Sequence, residues 1–185
     1  MGKERAVMHK SRTERTCSEL RDAIVSARFK PGQRLPIDSL GKTFEASIGA
    51  VREALSRLTA EGLVIAEPQK GFIVAPISRR ELTDLTAARV EIECKCLADT
   101  IRTGDIDWEA TVLSLQHKLR ALDRAWLDPG NEDAARWHEI HADFHDILTS
   151  GCTNTWWLRI RRQLYVQSER YRRISGPLDS GDRDI

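Results

Sequence analysis

Three histidines in one short segment are the first candidates for metal chemistry. His138, His141 and His145 lie in WHEIHADFHDIL, and the last two are four residues apart. On a helix this spacing stacks both imidazoles on one face, where they can bind a divalent ion such as zinc, nickel or manganese. Buried, hydrogen-bonded histidines give the same pattern, and for a bare pair we favour that interpretation. A metal-dependent enzyme is an alternative, but there is no HExxH motif and Asp143 is predicted to face away.

A second candidate is a helix in the segment SIGAVREALSRLTAEGLV, residues 47–64. Ser47 can cap the first turn through its hydroxyl. Gly49 and Ala50 keep that turn slim enough to enter a major groove, where free backbone N–H groups can meet a phosphate. On a helical wheel the apolar residues fall on one side and are predicted to be core: Ile48, Val51, Leu55 and Leu58.

Basic side chains lie on the outer side of this helix and on a predicted hairpin after it. Arg52 lies one turn into the helix and can reach a guanine edge or a phosphate. Arg57 lies on the same outer side. Lys70 and Gly71 belong to the hairpin tip PQKG, which can lie in the minor groove. These residues predict a DNA interface, although an ordinary amphipathic helix with a solvated charged face has the same composition.

The fold class predicted from periodicity and breakers is mostly α, with two domains. Residues 13–77 form a winged helix-turn-helix domain and residues 78–175 an all-α antiparallel bundle. The first domain has helices at 13–28, 37–45 and from 47 to Gly62, a turn at 30–36, and a strand–turn–strand hairpin. The second has helices at 78–103, opened by a Ser78/Glu81 capping box, then at 107–127, 131–150 and 154–174. Residues 1–12 and 176–185 are predicted to be disordered.

Composition and charge exclude a membrane protein and favour a cytoplasmic one. No stretch is long and apolar enough to span a bilayer, and the charged N-terminus lacks a signal region. Residues 1–78 hold 13 Lys and Arg against 9 Asp and Glu, a net +4, and residues 79–185 hold 16 against 19, a net −3. A basic first part indicates nucleic acid as a partner. Four scattered cysteines are predicted to be reduced and mostly buried: Cys17, Cys94, Cys96 and Cys152.

The segment PGQRLPIDSLGKTFEASIGAVREALSRLTAEGLV, followed by QKGFIV, closely resembles the N-terminal domain of GntR-family bacterial transcriptional regulators. In that family the start of the recognition helix and the wing tip contact operator DNA. The contacts implied here are Ser47, Arg52, Lys70 and Gly71. The family often has Arg, Thr and Pro after the serine, whereas this sequence has Ile48, Gly49 and Ala50. A common base-reading arginine is thus missing, which bears on the operator sequence and not on DNA binding itself.

The second part resembles the FCD-type ligand-binding domain of the FadR subfamily. The matching pieces are Arg89 with Glu93 in LTAARVEIE, Phe144-His145 in HADFHDILTSGC, and the segment RQLYVQSERYRR. The resemblance implies helices around a metal held by an Asp or His, by a His four residues later, and by two further His. The first two positions here are His141 and His145. It also implies that the metal anchors a carboxylate effector and that Arg89 lines the cavity, where a guanidinium can clamp a carboxylate.

The usual domain continues beyond RYRR for about two more helices that carry the other two histidines. We therefore expect an incomplete metal site, either because the sequence is truncated at its C-terminus or because the protein has lost full metal ligation. His9 and His117 do not lie where the family needs ligands, and His138 could substitute in part. The arginines of the last helix are predicted to form a solvated face, with some lining the effector cavity or a dimer contact: Arg159, Arg161, Arg162, Arg170, Arg172 and Arg173.

These features together predict a sequence-specific transcriptional regulator and not an enzyme. We expect a repressor that binds a palindromic operator in double-stranded DNA as a homodimer. A small organic acid in the helical domain is expected to change the placement of the two DNA-binding domains. A protein-interaction adaptor is a further alternative, against which Arg52 and Lys70 argue.

Overall fold

The computed structural model describes residues 12–122 and 132–175, and these are mostly helical. The elements in chain order are α1 (Arg12–Val25), α2 (Ile37–Thr43), α3 (Ile48–Ala60), β1 (Val64–Glu67), β2 (Gly71–Val74), α4 (Arg79–Thr103), α5 (Ile106–Ala121), α6 (Glu132–Ile147) and α7 (Thr155–Ser175). The chain divides into two compact units, Met1–Ile77 and Ser78–Ile185. The predicted fold class is confirmed. None of the described helices combines the length and apolarity needed to cross a membrane.

The core of the first unit lies between α1 and α3. Leu20 and Ile24 of α1 are fully buried, because residues four apart lie on one helix face. Val51, Leu55 and Leu58 of α3 are also fully buried. Gly62 has a φ of 76°, a left-handed conformation that suits glycine and ends α3 as predicted. The first unit therefore holds α3 by its apolar side and leaves the opposite side exposed.

The hairpin of the first unit gains a third extended segment from the turn before α2. Strands β1 and β2 pair antiparallel, with Val64 opposite Val74. The Gly32 N–H donates to the Val74 carbonyl at 3.0 Å, and the Leu35 N–H donates to the Phe72 carbonyl at 2.9 Å. The turn predicted at 30–36 is thus also what anchors the hairpin to the rest of the unit.

Several predicted boundaries are wrong by a few residues. Helix α1 ends at Val25, since Ala27 has a φ of 61°, and it begins at Arg12, which we expected to be disordered. Helix α5 ends at Ala121 instead of near 127, and α6 ends at Ile147 instead of near 150. The predicted helix start at 131 and the predicted disorder at 1–11 and 176–185 lie outside the described residues.

In the second unit α4 packs along α7, and α5 packs along α6. The Ser78 hydroxyl caps α4 by accepting from the Glu81 N–H at 3.1 Å, so half of the predicted capping box is confirmed. The other half differs, because the Ser78 N–H donates to the Tyr171 hydroxyl at 3.2 Å, and this hydroxyl donates to the Glu81 carboxylate. The start of α4 is therefore tied to α7. Of the cysteines, Cys94 is exposed and the others are buried, none in a disulfide.

Replacing Gly151 by alanine is expected to destabilise the second unit by about 1–3 kcal/mol, typical of overpacking. An added Cβ would clash with the Thr103 hydroxyl and would lie 2.9 Å from the Thr100 Cα. The Thr100 Cα belongs to the backbone, so it cannot turn aside as a flexible side chain can. Thermal unfolding should show a lower Tm. Gly49→Ala is the matched control, since a Cβ there meets only the Ser47 hydroxyl, at 4.0 Å. Equal Tm values for both variants would contradict the tight packing at Gly151.

Candidate nucleic-acid interface and ligand cleft

The start of α3 forms the candidate DNA-reading end of the first unit. Ser47 caps the helix as predicted, because its hydroxyl accepts from the Ala50 N–H at 3.2 Å. That hydrogen bond removes one of the backbone donors expected to be free for a phosphate. The Ala50 side chain is 8% exposed and packs into the core. Ala50 therefore offers DNA neither a free amide nor an exposed side chain, and its part in keeping the first turn slim stays a prediction.

The exposed side of α3 carries two rows of side chains. Ile48, Arg52 and Ser56 are spaced by four residues and form one row, and all three are exposed. Among the described residues Arg52 makes no hydrogen bond or ion pair, so its guanidinium is available. The second row pairs Arg57 with the Glu53 carboxylate at 2.5 Å, so Arg57 must exchange that partner before it can bind a phosphate.

The prediction that Ile48 belongs to the core is wrong. Its side chain is 51% exposed, because it lies in the first turn at the edge of the apolar arc, beside Arg52. Gly49 next to it is also exposed, and an added Cβ would have space in the free protein. The fold itself therefore needs neither an apolar residue at 48 nor a glycine at 49.

The wing tip presents Lys70 next to a second cation that the sequence interpretation missed. Gly71 has a φ of 91°, which favours glycine and closes the tight turn between β1 and β2. The Arg34 guanidinium donates from Nη1 to the Lys70 carbonyl at 2.9 Å, and its Nη2 lies 3.9 Å from the Glu67 carboxylate. Arg34 thus holds the tip while remaining largely exposed. Arg34 and Lys70 are 36 positions apart in the sequence, which explains why no local pattern indicated this pair.

In the second unit a cleft of about 460 Å³ lies between α4, α6 and α7. It brings together the three predicted residues Arg89, His141 and His145, which come from different parts of the sequence. Glu93 and Arg172 also line it. The remaining lining is mixed, with the apolar Leu82 and Val90 and the hydroxyl-bearing Thr86, Ser168, Tyr171 and Ser175.

Two guanidinium groups contact the two imidazoles of this cleft. The His141 and His145 ring centroids are 4.6 Å apart. Arg172 Nη1 lies 2.8 Å from His141 Nδ1, and Arg89 Nη2 lies 3.3 Å from both ring nitrogens of His145. Burial, followed by the charge of Arg172, lowers the pKa of His141 to about 3, so this imidazole is neutral at pH 7.

Glu93 supplies the negative charge in the cleft. Its Oε1 accepts from Arg89 Nε at 2.8 Å, and its Oε2 lies 3.3 Å from His145 Nδ1. Burial alone would raise the pKa of Glu93, but the hydrogen bonds from His145 and Arg89 outweigh burial and lower it to about 2. The carboxylate is therefore ionised, and it fixes the orientation of Arg89.

Comparisons with known proteins connect both units to one family. A family model described as bacterial regulatory proteins, gntR family, matches residues 12–74, and an FCD domain model matches residues 84–184. The uncharacterized HTH-type transcriptional regulator BphR of Paraburkholderia xenovorans (strain LB400) is 40% identical over 95% of this chain and 72% of its own. The HTH-type transcriptional repressor GlaR of Escherichia coli (strain K12) is 34% identical over 84% of this chain and 70% of its own.

The chain belongs to the GntR family. It is a transcriptional regulator with an FCD domain and not an enzyme, as predicted. A solved GntR-type regulator from Rhodococcus sp. RHA1 has a TM-score of 0.67 at 26% identity, over 89% of this chain and 76% of that one. GntR regulators bind DNA, and FCD domains bind small-molecule effectors. Assignment of the regulator to the FadR subfamily stays a prediction.

The described residues of this GntR-family regulator do not complete a metal site. They contain no group of three or more His, Cys, Asp or Glu placed to hold a metal ion. His141 and His145 supply two imidazoles, and their nearest charged neighbours are two cations, which repel a divalent ion, and the Glu93 carboxylate, which is paired with Arg89. His138 does not substitute in part, since its Nδ1 lies 3.0 Å from Glu169 and it does not line the cleft.

Glu169 positions Arg172 in the regulator and was missed from the sequence. Its buried carboxylate lies 2.6 Å from Arg172 Nη1 and 2.9 Å from Arg173 Nε. Burial alone would raise the pKa of Glu169, but its hydrogen bond with His138 and the charge of Arg172 lower it to about 2. The predicted solvated arginine face of the last helix is wrong in part, because Arg161 and Arg170 are buried, at 4% and 1% exposure. Arg159 and Arg162 are exposed, as predicted.

Replacing Arg34 by alanine is expected to weaken DNA binding by the regulator several-fold, because the wing tip loses both a cation and an anchor. Lys70→Ala should weaken binding and lower the salt dependence of log K by about one per contacted phosphate. If Arg34 acts partly by holding Lys70, the double variant should lose less than the product of the single losses. Fluorescence anisotropy of labelled duplex measures all four proteins. Fully multiplicative losses would contradict the coupling.

Proposed function

We propose that this regulator is a repressor that binds a palindromic operator as a homodimer and responds to a small carboxylate. The exposed Arg52 at the start of α3, free of partners among the described residues, is the observation that supports operator recognition most directly. Lys70 and Arg34 at the wing tip add positive charge for the phosphate backbone. A symmetric dimer would place two such units on two half-sites, which is why a palindrome is expected. GlaR and RspR of Escherichia coli, two of the related proteins, are named repressors.

The chemistry of the FCD cleft supports an anionic effector. Arg89 and Arg172 bring two positive charges to the cleft, and the pKa of about 3 keeps His141 uncharged. Glu93 contributes one negative charge, so these lining side chains sum to a net positive charge, part of which the Glu169 carboxylate behind Arg172 offsets. A guanidinium can donate two parallel hydrogen bonds to one carboxylate, which gives both affinity and orientation. The cleft volume of about 460 Å³ suits a small organic acid.

Binding of a divalent metal by His141 and His145 stays a prediction, because the described residues do not supply a complete set of ligands. Metal analysis of the purified chain after dialysis against zinc, beside His145→Ala, tests it. Equal zinc content in both proteins would rule out this pair as ligands.

The proposed function is tested by mobility shift on DNA from the upstream region of the regulator's own gene, at two salt concentrations. We expect specific binding that weakens steeply with salt, because phosphate contacts release counterions. A panel of mono-, di- and tricarboxylates is then added to the preformed complex, and at least one acid should change the fraction bound. Binding that does not exceed binding to unrelated duplex would contradict operator recognition. A complex insensitive to every acid would contradict the effector class.

A further inference from the structure

In the row Ile48–Arg52–Ser56, Ile48 is an apolar residue that is not buried in the core of the fold. Four apolar or small residues of α3 are buried at 0% exposure, namely Val51, Ala54, Leu55 and Leu58, whereas Ile48 is 51% exposed. Of the large apolar residues in the described part of the first unit, only Ile48 and Ile65 are exposed, at 51% and 41%. The exposed apolar surface of Ile48 therefore lies on the same side of the helix as Arg52, which is free of partners among the described residues.

The surroundings of Ile48 leave it accessible to DNA. It is the first residue of α3, just after the capping Ser47, and Gly49 beside it has no side chain to shield it. Arg52 follows four residues later, which places its side chain about 6 Å further along the same face. A base contacted by Ile48 would thus lie within about two base pairs of the contact made by Arg52.

We propose that Ile48 contacts the C5-methyl group of a thymine in the major groove and so specifies an A·T pair at one position of each operator half-site. This inference rests on the operator recognition proposed above. Thymine is the one base that presents a methyl group in the major groove, and the other groups that distinguish the bases there are hydrogen-bond donors or acceptors, apart from the smaller C5–H of cytosine. An isoleucine side chain cannot hydrogen-bond, so the thymine methyl is the base-edge group it can recognise by burial.

The same chemistry separates Ile48 from its neighbours as a specificity residue. Arg52 donates hydrogen bonds and suits a guanine edge or a phosphate, and Ser56 can bond to several bases. Ile48 can form neither a hydrogen bond to a base edge nor an ion pair with a phosphate. Its substitution should therefore relax the base preference at one position and leave the preferences at other positions unchanged.

The test begins with selection of duplexes from a random DNA library by the full chain and by Ile48→Ala. We expect the wild-type chain to select an A·T pair, with thymine on a fixed strand, near the position that Arg52→Ala relaxes. In a selected duplex that thymine is then replaced by uracil, which removes only the methyl group. The wild-type dissociation constant should rise about fourfold per half-site, the amount expected for one lost methyl contact. For Ile48→Ala the same replacement should have no effect.

Ile65→Ala is the matched control, because it removes the other exposed isoleucine of the unit. It should keep the full uracil effect, and equal thermal unfolding of all variants shows that folding is intact. A uracil effect that persists in Ile48→Ala overturns the proposal, since another residue then contacts the methyl. A wild-type chain indifferent to uracil at every thymine also overturns it while leaving operator recognition standing. A wild-type chain that selects no sequence overturns operator recognition itself, and this inference with it.

Discussion

Arg52→Ala is expected to abolish specific DNA binding while the protein stays folded. Arg52 is exposed, has no hydrogen bond or ion pair among the described residues, and lies one turn from the start of α3. A guanidinium that bonds to a base edge is worth about 1–3 kcal/mol of discrimination, so affinity for each half-site should fall roughly 5- to 150-fold. In a dimer the two losses combine. Mobility shift and fluorescence anisotropy on upstream DNA measure the loss of binding, and a thermal melt measures whether the protein stays folded.

Arg15→Ala provides a matched control for the loss of charge. Arg15 is an arginine of the same unit, on α1 instead of α3, and its side chain is 66% exposed and paired with Glu19. It should retain nearly all operator affinity. Arg57→Ala should show an intermediate loss, because Arg57 already has Glu53 as a partner. If Arg15→Ala and Arg52→Ala lose affinity equally, the effect is one of net charge and α3 does not read the operator.

Arg89→Ala is expected to remove the response of the DNA complex to a carboxylate. Arg89 lies in the cleft with His145 and Glu93, where its guanidinium is held by a hydrogen bond to Glu93 at 2.8 Å. Hydrogen bonds to charged groups contribute about 1.5–3 kcal/mol, so affinity for the acid should fall roughly 10- to 100-fold. The readouts are the acid-induced change in Tm and the acid concentration at the midpoint of the change in the fraction of DNA bound.

Arg80→Ala is the control for Arg89, since Arg80 is on the same helix and its side chain is 94% exposed. It should keep the full response to acid. Arg89→Lys retains the charge without the two-pronged donor geometry and should fall between the wild type and alanine. A lower Tm of Arg89→Ala in the absence of acid would mean that the Glu93 carboxylate has been left unpaired. The acid response is then judged from Arg89→Lys instead. An unchanged acid response in both variants would place the effector elsewhere.

The features that the sequence predicted well are those set by neighbours within a few residues. The hydroxyl of Ser47 accepts from an amide three residues later, and Ser78 does the same. Gly62 ends α3 because its left-handed φ disfavours other residues. The apolar spacing of Leu20 and Ile24 predicted a buried face that is indeed fully buried. Each of these depends on local geometry, which the order of residues specifies directly.

The errors arose where burial depends on which other element covers a side chain. Ile48 and Ala50 lie at opposite edges of the apolar arc of α3, and the wheel could not show that the first is exposed and the second buried. Arg161 and Arg170 carry full charges, yet both are enclosed by the helical unit. A helical wheel gives direction around one axis, whereas exposure depends on the positions of all the neighbouring helices.

The sequence by itself determined the family, the mostly helical class, the cap and end of α3, and the residue types that could meet DNA and an acid. Only the tertiary structure decided which of these residues lie close to one another. Arg89, His145 and Arg172 come together in one cleft because α4, α6 and α7 pack there, and Arg34 reaches Lys70 across 36 residues of chain. It also decided that two guanidinium groups and the Glu93 carboxylate stand beside the two imidazoles, although the described residues contain no group of three or more His, Cys, Asp or Glu placed to hold a metal ion. Local interactions fix elements, but the partners of a charged side chain depend on packing between elements distant in sequence.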